Sequence, residues 1–473
     1  MLLSCGDDSE PYHDPPSAGV FRVSVNMPLD VGRAAHGGTL FSIVSADGVV
    51  RATAGISKTW NSYCASDPLQ LHFFLGDAHQ FPLTTERLGN PSPELRTGYG
   101  FSDANSLIVV DRANDKQFRQ IAHASTLSTD ATWQQVPQEA KVRCPRFTLD
   151  GWDYSQNTSG AVWACYEADE SDPDPDCDVM ATAPQTFPYV FADAAGNVIT
   201  VTNWGDVLIH RPEGWCRAVF DGEGFACPPA GAPPAPPPEA PRGFQFYSSI
   251  KYRGETLLGR FPGGQLYRFD GTRLAPYEDS PPLPPGEVAD NAEAQSMANY
   301  CGDLYVGLWP RGSVWVRRLH DGTWSRLGRM FTHPQTQDPA IPYFGSEPDG
   351  TPSAFLGERV SALVPQDERL YLTTSNLGVW SADVRAPEFL SKQQIDEYGA
   401  VYALHRPGCL TAQLQDLDGG RLYFDIGPTV ISIRQGRRLL AQMENPGFMP
   451  SPDDQIVSWS PVFGEPVGTI LSR

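Results

Sequence analysis

Short apolar stretches broken by glycine, proline and Asp-Gly pairs dominate the hydrophobic pattern of the chain. The clearest block begins Asp303-Leu304-Tyr305-Val306-Gly307-Leu308-Trp309, turns at Pro310-Arg311-Gly312-Ser313 and continues Val314-Trp315-Val316-Arg317. It turns again at Asp321-Gly322 and ends Thr323-Trp324-Ser325-Arg326-Leu327-Gly328. Runs of this length bounded by turn residues predict strands, and Asp-Gly suits a tight hairpin because its backbone tolerates positive φ. Residues 295–300 predict one more strand ahead of the block, so the unit has four short antiparallel strands. Its second strand is often apolar without alternation, as expected for a strand covered on both faces.

The unit recurs. Residues 197–204 and 207–210 repeat it around a Gly205-Asp206 turn, and residues 256–261 and 265–269 repeat it around Pro262-Gly263-Gly264. Arg369-Leu370-Tyr371-Leu372 is followed by Asn376-Leu377-Gly378-Val379-Trp380. Weaker copies start at Leu40, Leu107 and Leu422, and residues 144–166 form a degenerate one. Four-stranded sheets repeated in this way predict an all-β fold, a single β-propeller with blades set radially around a channel. Spacings of about 50 to 65 residues give about seven four-stranded blades, with six or eight also compatible. Two β-sandwiches joined by the Pro-rich run at 227–241 are the alternative. The same unit on both sides of that run favours one propeller over residues 20–473, with an insertion at 228–241.

Composition narrows the function classes. The 473 residues carry 35 Lys and Arg against 56 Asp and Glu, a formal charge of −21, with no dense basic cluster. Nucleic acid is therefore not an expected partner. Gly and Pro number 44 each, too many for long helices, and no apolar run reaches the length of a membrane span. The chain opens Met1-Leu2-Leu3-Ser4-Cys5, followed by a polar, Pro-rich stretch to residue 19. Leu2-Leu3-Ser4-Cys5 resembles the lipobox of bacterial lipoproteins. That resemblance implies lipidation of Cys5, a tether over residues 1–19, an outer-membrane or periplasmic location and membrane contact only through the lipid. Of the nine cysteines, eight then remain, an even number suited to a disulfide framework whose connectivity stays open. Cys165 with Cys177, and Cys216 with Cys227, are close enough in sequence to staple local loops.

The strand–turn–strand–Asp-Gly–Trp unit resembles blades of secreted kelch-like and sialidase-like propellers. Asp321-Gly322-Thr323-Trp324 matches part of the sialidase Asp-box, one residue short before Trp, and Ser128-Thr129-Asp130-Ala131-Thr132-Trp133 lacks its Gly. The resemblance implies the fold; shared folds host unrelated functions.

In a propeller the turns between second and third strands lie on one face, together with the connections between blades. That face receives Trp204 with Asp206, Phe261, Trp309 with Arg311, and Asn376. Aromatic residues beside polar ones suit flat sugar faces or a protein partner. The channel mouth on this face is predicted at the starts of the first strands, where Glu94, Glu293, Glu358, Arg96, Arg242 and Arg359 stand. Paired carboxylates there would serve glycoside hydrolysis, and arginines would clamp a carboxylated sugar.

Asp172, Asp174 and Asp176 crowd oxygen ligands between prolines, a composition that calcium would suit; no other cofactor is implied. His333 and His405 are expected near the candidate face as general-base candidates. No catalytic triad or zinc motif occurs. The sequence reading is therefore a monomeric, exported, non-catalytic binding platform for a protein or glycan. A glycan hydrolase or lyase at the channel mouth is the alternative.

Overall fold

The computed structural model describes residues 19–27, 38–57, 60–61, 64–65, 69–76, 83–92, 98–103, 106–111, 116–121, 133–137, 147–149, 152–156, 161–166, 177–182, 189–192, 198–201, 207–211, 214–229, 245–283, 292–319, 321–333, 345–346, 352–353, 357–366, 369–376, 390–414, 420–459 and 467–470. Among these, five four-stranded antiparallel meanders and a sixth four-stranded sheet follow one another, the third and fourth joined edge to edge through Phe225–Ala226. Blade I holds Gly98–Asp103, Ser106–Asp111, Lys116–Ile121 and Gln134–Gln135. Blade II holds Phe147–Leu149, Trp152–Gln156, Ala161–Tyr166 and Cys177–Thr182; blade III holds Tyr189–Ala192, Val198–Val201, Val207–Arg211 and Gly214–Phe220. Blade IV holds Gln245–Tyr252, Glu255–Phe261, Leu266–Phe269 and Arg273–Pro276; blade V holds Glu293–Tyr300, Asp303–Trp309, Ser313–Arg317 and Trp324–Arg329. Blade VI takes Glu358–Gln366, Arg369–Asn376 and Val401–His405, and its outer strand, Thr84–Gly89, comes from ahead of blade I. That borrowed strand ties the two ends of the series together. The inner strands of blades III, IV, V, VI and I pack side by side in that order.

The protein is thus an all-β propeller. Six blades, a number the spacing allowed, are found among the described residues, and the copies at Leu40 and Leu422 do other work. Phe21–Met27, Gly420–Ile426, Val430–Gln435, Arg438–Glu444 and Val467–Ile470 form one five-stranded sheet. Gly38–Val44, Val50–Ser57, Leu69–Leu75, Cys409–Leu414 and Gln455–Ser458 form a second. The two share one apolar core, where Phe41 meets Phe424 edge-on at 5.0 Å. A sandwich strand and a blade strand carry the same local pattern, so the copies looked alike.

The blade seams explain how the inner strands come close. Ser248 Oγ donates to the Ala294 carbonyl at 2.8 Å, and Ser296 Oγ donates to the Val360 carbonyl at 2.8 Å, the same bond one seam further on. Facing these serines, Gly259 and Gly307 leave no room for a side chain: a Cβ would stand 2.2 Å from the Ala294 oxygen and 2.8 Å from Val360. On the lower face, Arg253-Gly254 and Cys301-Gly302 turn with φ of 52°, 80°, 52° and 82°. Positive φ at both positions is what a two-residue hairpin between twisted strands needs.

The sandwich covers this lower face. Arg253 lies over the Trp459 ring at 4.4 Å, Arg406 over Phe74 at 3.8 Å, and a disulfide joins Cys301 to Cys409. From the sandwich a small hairpin, Trp60–Asn61 with Cys64–Ala65, runs up beside the propeller axis. It pairs with Met297 and packs along the inner strands of blades IV, V and VI. The sandwich therefore packs against the lower ends of blades IV, V and VI.

Candidate functional site

The upper mouth is built from strand ends. Gln245, Glu293 and Arg359 stand near the start of the inner strands of blades IV, V and VI, paired across to Phe261, Trp309 and Ser375 at the ends of the second strands. Phe261-Pro262 and Trp309-Pro310 are both cis, so the aromatic and its proline recur at one register in adjacent blades. Glu358 is positioned from the neighbouring blade. Its N–H donates to the Pro310 carbonyl at 2.8 Å, and its carbonyl accepts from Gly312 N–H at 2.9 Å.

Glu293 and Arg359 form one buried pair. Arg359 Nη2 donates to Glu293 Oε2 at 3.2 Å. Burial pushes the Glu293 carboxyl above the usual carboxylate range, opposed by the Arg359 charge. Beside this pair, rings form an arc: Tyr247 meets Phe261 at 6.4 Å, Phe261 meets Trp309 at 6.1 Å, and Arg359 lies 6.0 Å from the Tyr247 ring. Tyr247 and Phe261 are half-buried, while Trp309 is buried.

Glu358 belongs to a second cluster. Its carboxylate is bonded by Arg329 and lies 3.3 Å from His333 Nδ1. His333 Nε2 lies 3.3 Å from Glu397 Oε2 and 3.1 Å from the Gln394 carbonyl. Glu397 also accepts from Thr332 N–H at 2.9 Å. Burial pushes Glu358 well above the usual carboxylate range, although Arg329 opposes it; burial also lowers His333, although Glu397 opposes that. The cluster joins the outer strand of blade V to the 3-10 turn Asp396–Gly399 ahead of the third strand of blade VI. Glu293 and Glu358 are thus held by separate cations in separate clusters.

Of the other residues singled out from sequence, Arg311 is half-buried, with its carbonyl accepting from Arg329 Nε at 3.1 Å, and Asn376 is buried opposite Glu358. His405 is a correction: it pairs with Arg369 at the lower end of blade VI, because the third strand runs away from the mouth. Cys5, Glu94, Arg96, Asp172, Asp174, Asp176, Trp204, Asp206 and Arg242 lie outside the described residues. Tyr247, Arg329 and Glu397 were missed. No residue pattern announces Arg329 or Glu397, whose partners come from another part of the chain; Tyr247 follows the strand start that the mouth residues define.

No family model matches the chain, and no curated protein matches it. Among solved structures, a catalytically inactive virginiamycin B lyase from Staphylococcus aureus with quinupristin is similar at 9% identity, over 68% of this chain and 99% of that one, with a TM-score of 0.30. A Bacteroides ovatus xyloglucan PUL GH43B structure is similar at 10% identity, over 89% and 92%, with a TM-score of 0.20. At such scores neither likeness bears on what this chain binds; the sheet order carries the fold.

Proposed function

We propose that the protein is an extracytoplasmic, monomeric binding platform that takes a protein or glycan at the upper mouth without transforming it. The observation that carries this reading is the aromatic arc Tyr247–Phe261–Trp309 beside the Arg359–Glu293 pair, at the ends of the inner strands that face away from the sandwich. Half-buried rings beside fixed polar groups are the usual furniture of such sites. The disulfides Cys216–Cys227 and Cys301–Cys409 support an oxidising compartment. A lipid on Cys5 would hold the protein at a membrane surface.

A second reading, a glycan hydrolase or lyase, draws on the burial that favours a protonated Glu358 beside His333. It needs two carboxylates facing one cleft, and the separate clusters of Glu293 and Glu358 weigh against it. The test is a glycan array and a surface-protein pull-down with the wild-type chain and with Phe261→Ala and Trp309→Ala, alongside product analysis on polysaccharides. Binding lost in the variants with no product released is the expected result. Product release that depends on Glu358 would establish the second reading.

A further inference from the structure

Three neighbouring blades break register at the same depth below the mouth. The inner strand of blade IV skips Tyr247 in its pairing, that of blade V skips Gln295, and that of blade VI skips Ser361. A β-bulge leaves its extra residue outside the ladder and re-aims its side chain. Each bulge follows two residues after Gln245, Glu293 or Arg359, so one plan is repeated three times with different side chains.

The charges in this plan cancel, because Arg359 is bonded to Glu293. What the wall still offers is a mixture of donors and acceptors. Trp309 Nε1, both polar atoms of Gln295, Ser375 Oγ and Glu293 Oε1 are buried without a hydrogen-bond partner. Such groups are costly in a fold unless something completes them. An indole and an amide donate here, a carboxylate and an amide oxygen accept, and a hydroxyl does both. Ligand hydroxyls donate and accept, so a polyol matches the set. A carboxylate or phosphate only accepts, and would leave the Glu293 and Gln295 oxygens unmatched. The arc of rings adds apolar surface for the C–H face of a pyranose.

We propose that the mouth takes an uncharged sugar unit of a glycan, with Gln295 as a buried recognition residue. This rests on the mouth being the binding face, and it replaces the carboxylated sugar that the arginines alone suggested. The unpartnered atoms are closed to solvent, so binding shifts side chains at the mouth, as is common at interfaces.

The test titrates the full chain with uncharged gluco-, manno- and galacto-oligosaccharides, and with oligouronates and sialylated oligosaccharides of matched length, read by tryptophan fluorescence and calorimetry. An uncharged series is expected to bind, with the acidic sugars at least about tenfold weaker. Gln295→Leu is expected to weaken the uncharged sugar about tenfold without lowering Tm, because the amide makes no bond in the fold. Gln295→Met serves the same comparison should leucine misfold. Preference for acidic sugars, unchanged affinity in the Gln295 variants, or no sugar binding at all overturns the proposal. Phe261→Ala separates the two levels. If a sugar binds and this variant leaves it unaffected, the mouth itself is not the site and the broader reading fails as well. If the variant abolishes binding of a protein or an acidic sugar while neutral sugars do not bind, only the ligand class fails.

Discussion

Arg359 reaches from one blade to the next to hold Glu293, Nη2 to Oε2 at 3.2 Å, with each residue only 2% exposed. Neither charge has water to fall back on. Removing one partner should therefore cost more than removing both. Arg359→Met is expected to destabilise the protein by about 3–5 kcal/mol, and Arg359→Met with Glu293→Gln by distinctly less. Urea unfolding of the two variants checks the order; equal losses would show that packing, not charge, dominates the site.

The acid–base groups predict two limbs of opposite sign. Burial raises Glu293 and Glu358, so the native state holds their protons more tightly than the unfolded chain does. Their contribution is fully present below the unfolded carboxylate value and is lost as pH rises through the raised native values. His72 behaves oppositely: complete burial lowers it from 6.5 to about 3. The unfolded chain takes up that proton first, so stability falls between pH 6.5 and about 3. His72→Leu is expected to flatten this acid limb by about one proton, or about 1.4 kcal/mol per pH unit. Glu358→Gln should flatten the alkaline limb. Denaturant midpoints measured from pH 4 to 9 read both.

The two described disulfides close very different loops. Cys301–Cys409 spans 108 residues and joins the propeller to the sandwich, whereas Cys216–Cys227 spans 11 and closes the loop whose Phe225–Ala226 strand bridges the outer strands of blades III and IV. Chain entropy alone predicts losses of about 5 and about 3 kcal/mol for the paired serine variants. Separate unfolding transitions for sandwich and propeller are expected once the longer bridge is gone, visible by calorimetry.

The seam glycines set the distance between blades. Gly307→Ala places a methyl group against Ser296 Oγ and Val360, and Gly259→Ala against the Ala294 carbonyl. Overpacking of this kind costs about 1–3 kcal/mol. Because both seams lie just below the mouth, ligand affinity is expected to fall along with Tm. Alanine at Gly436, where nothing lies within 4 Å, is the control: its φ of +54° permits some strain but no clash.

Legibility in the sequence followed locality. The second strands at Glu255–Phe261, Asp303–Trp309 and Arg369–Asn376 could be read because each carries a short consecutive apolar run, as a strand covered on both faces does. Glu293, Glu358 and Arg359 could be placed at strand starts because strand starts follow from the turns before them. Their partners could not. Arg359 finds Glu293 across a seam 66 residues away, and Glu397 reaches His333 from the far side of a blade. The bulges at Tyr247, Gln295 and Ser361 carry no glycine to mark them. The sandwich stayed hidden for the same reason, since the strand at Gly38–Val44 pairs with Gln455–Ser458.

Phe21 lies between Ile426 and Ile470 in one sheet, and Arg22 is bonded to Asp425, 403 residues further along the chain. Both closures of the molecule, this sheet and the borrowed strand of blade VI, therefore wait on segments made late. During synthesis Phe21–Met27 and Thr84–Gly89 have no partner strand nearby, and contacts of this separation form slowly. Until their partners arrive these two strands are open edges, prone to pairing with other chains. The locally paired strands of blades I to V can form as they emerge, so the exposed edges of an unfinished chain are those two strands, whose only partners are distant.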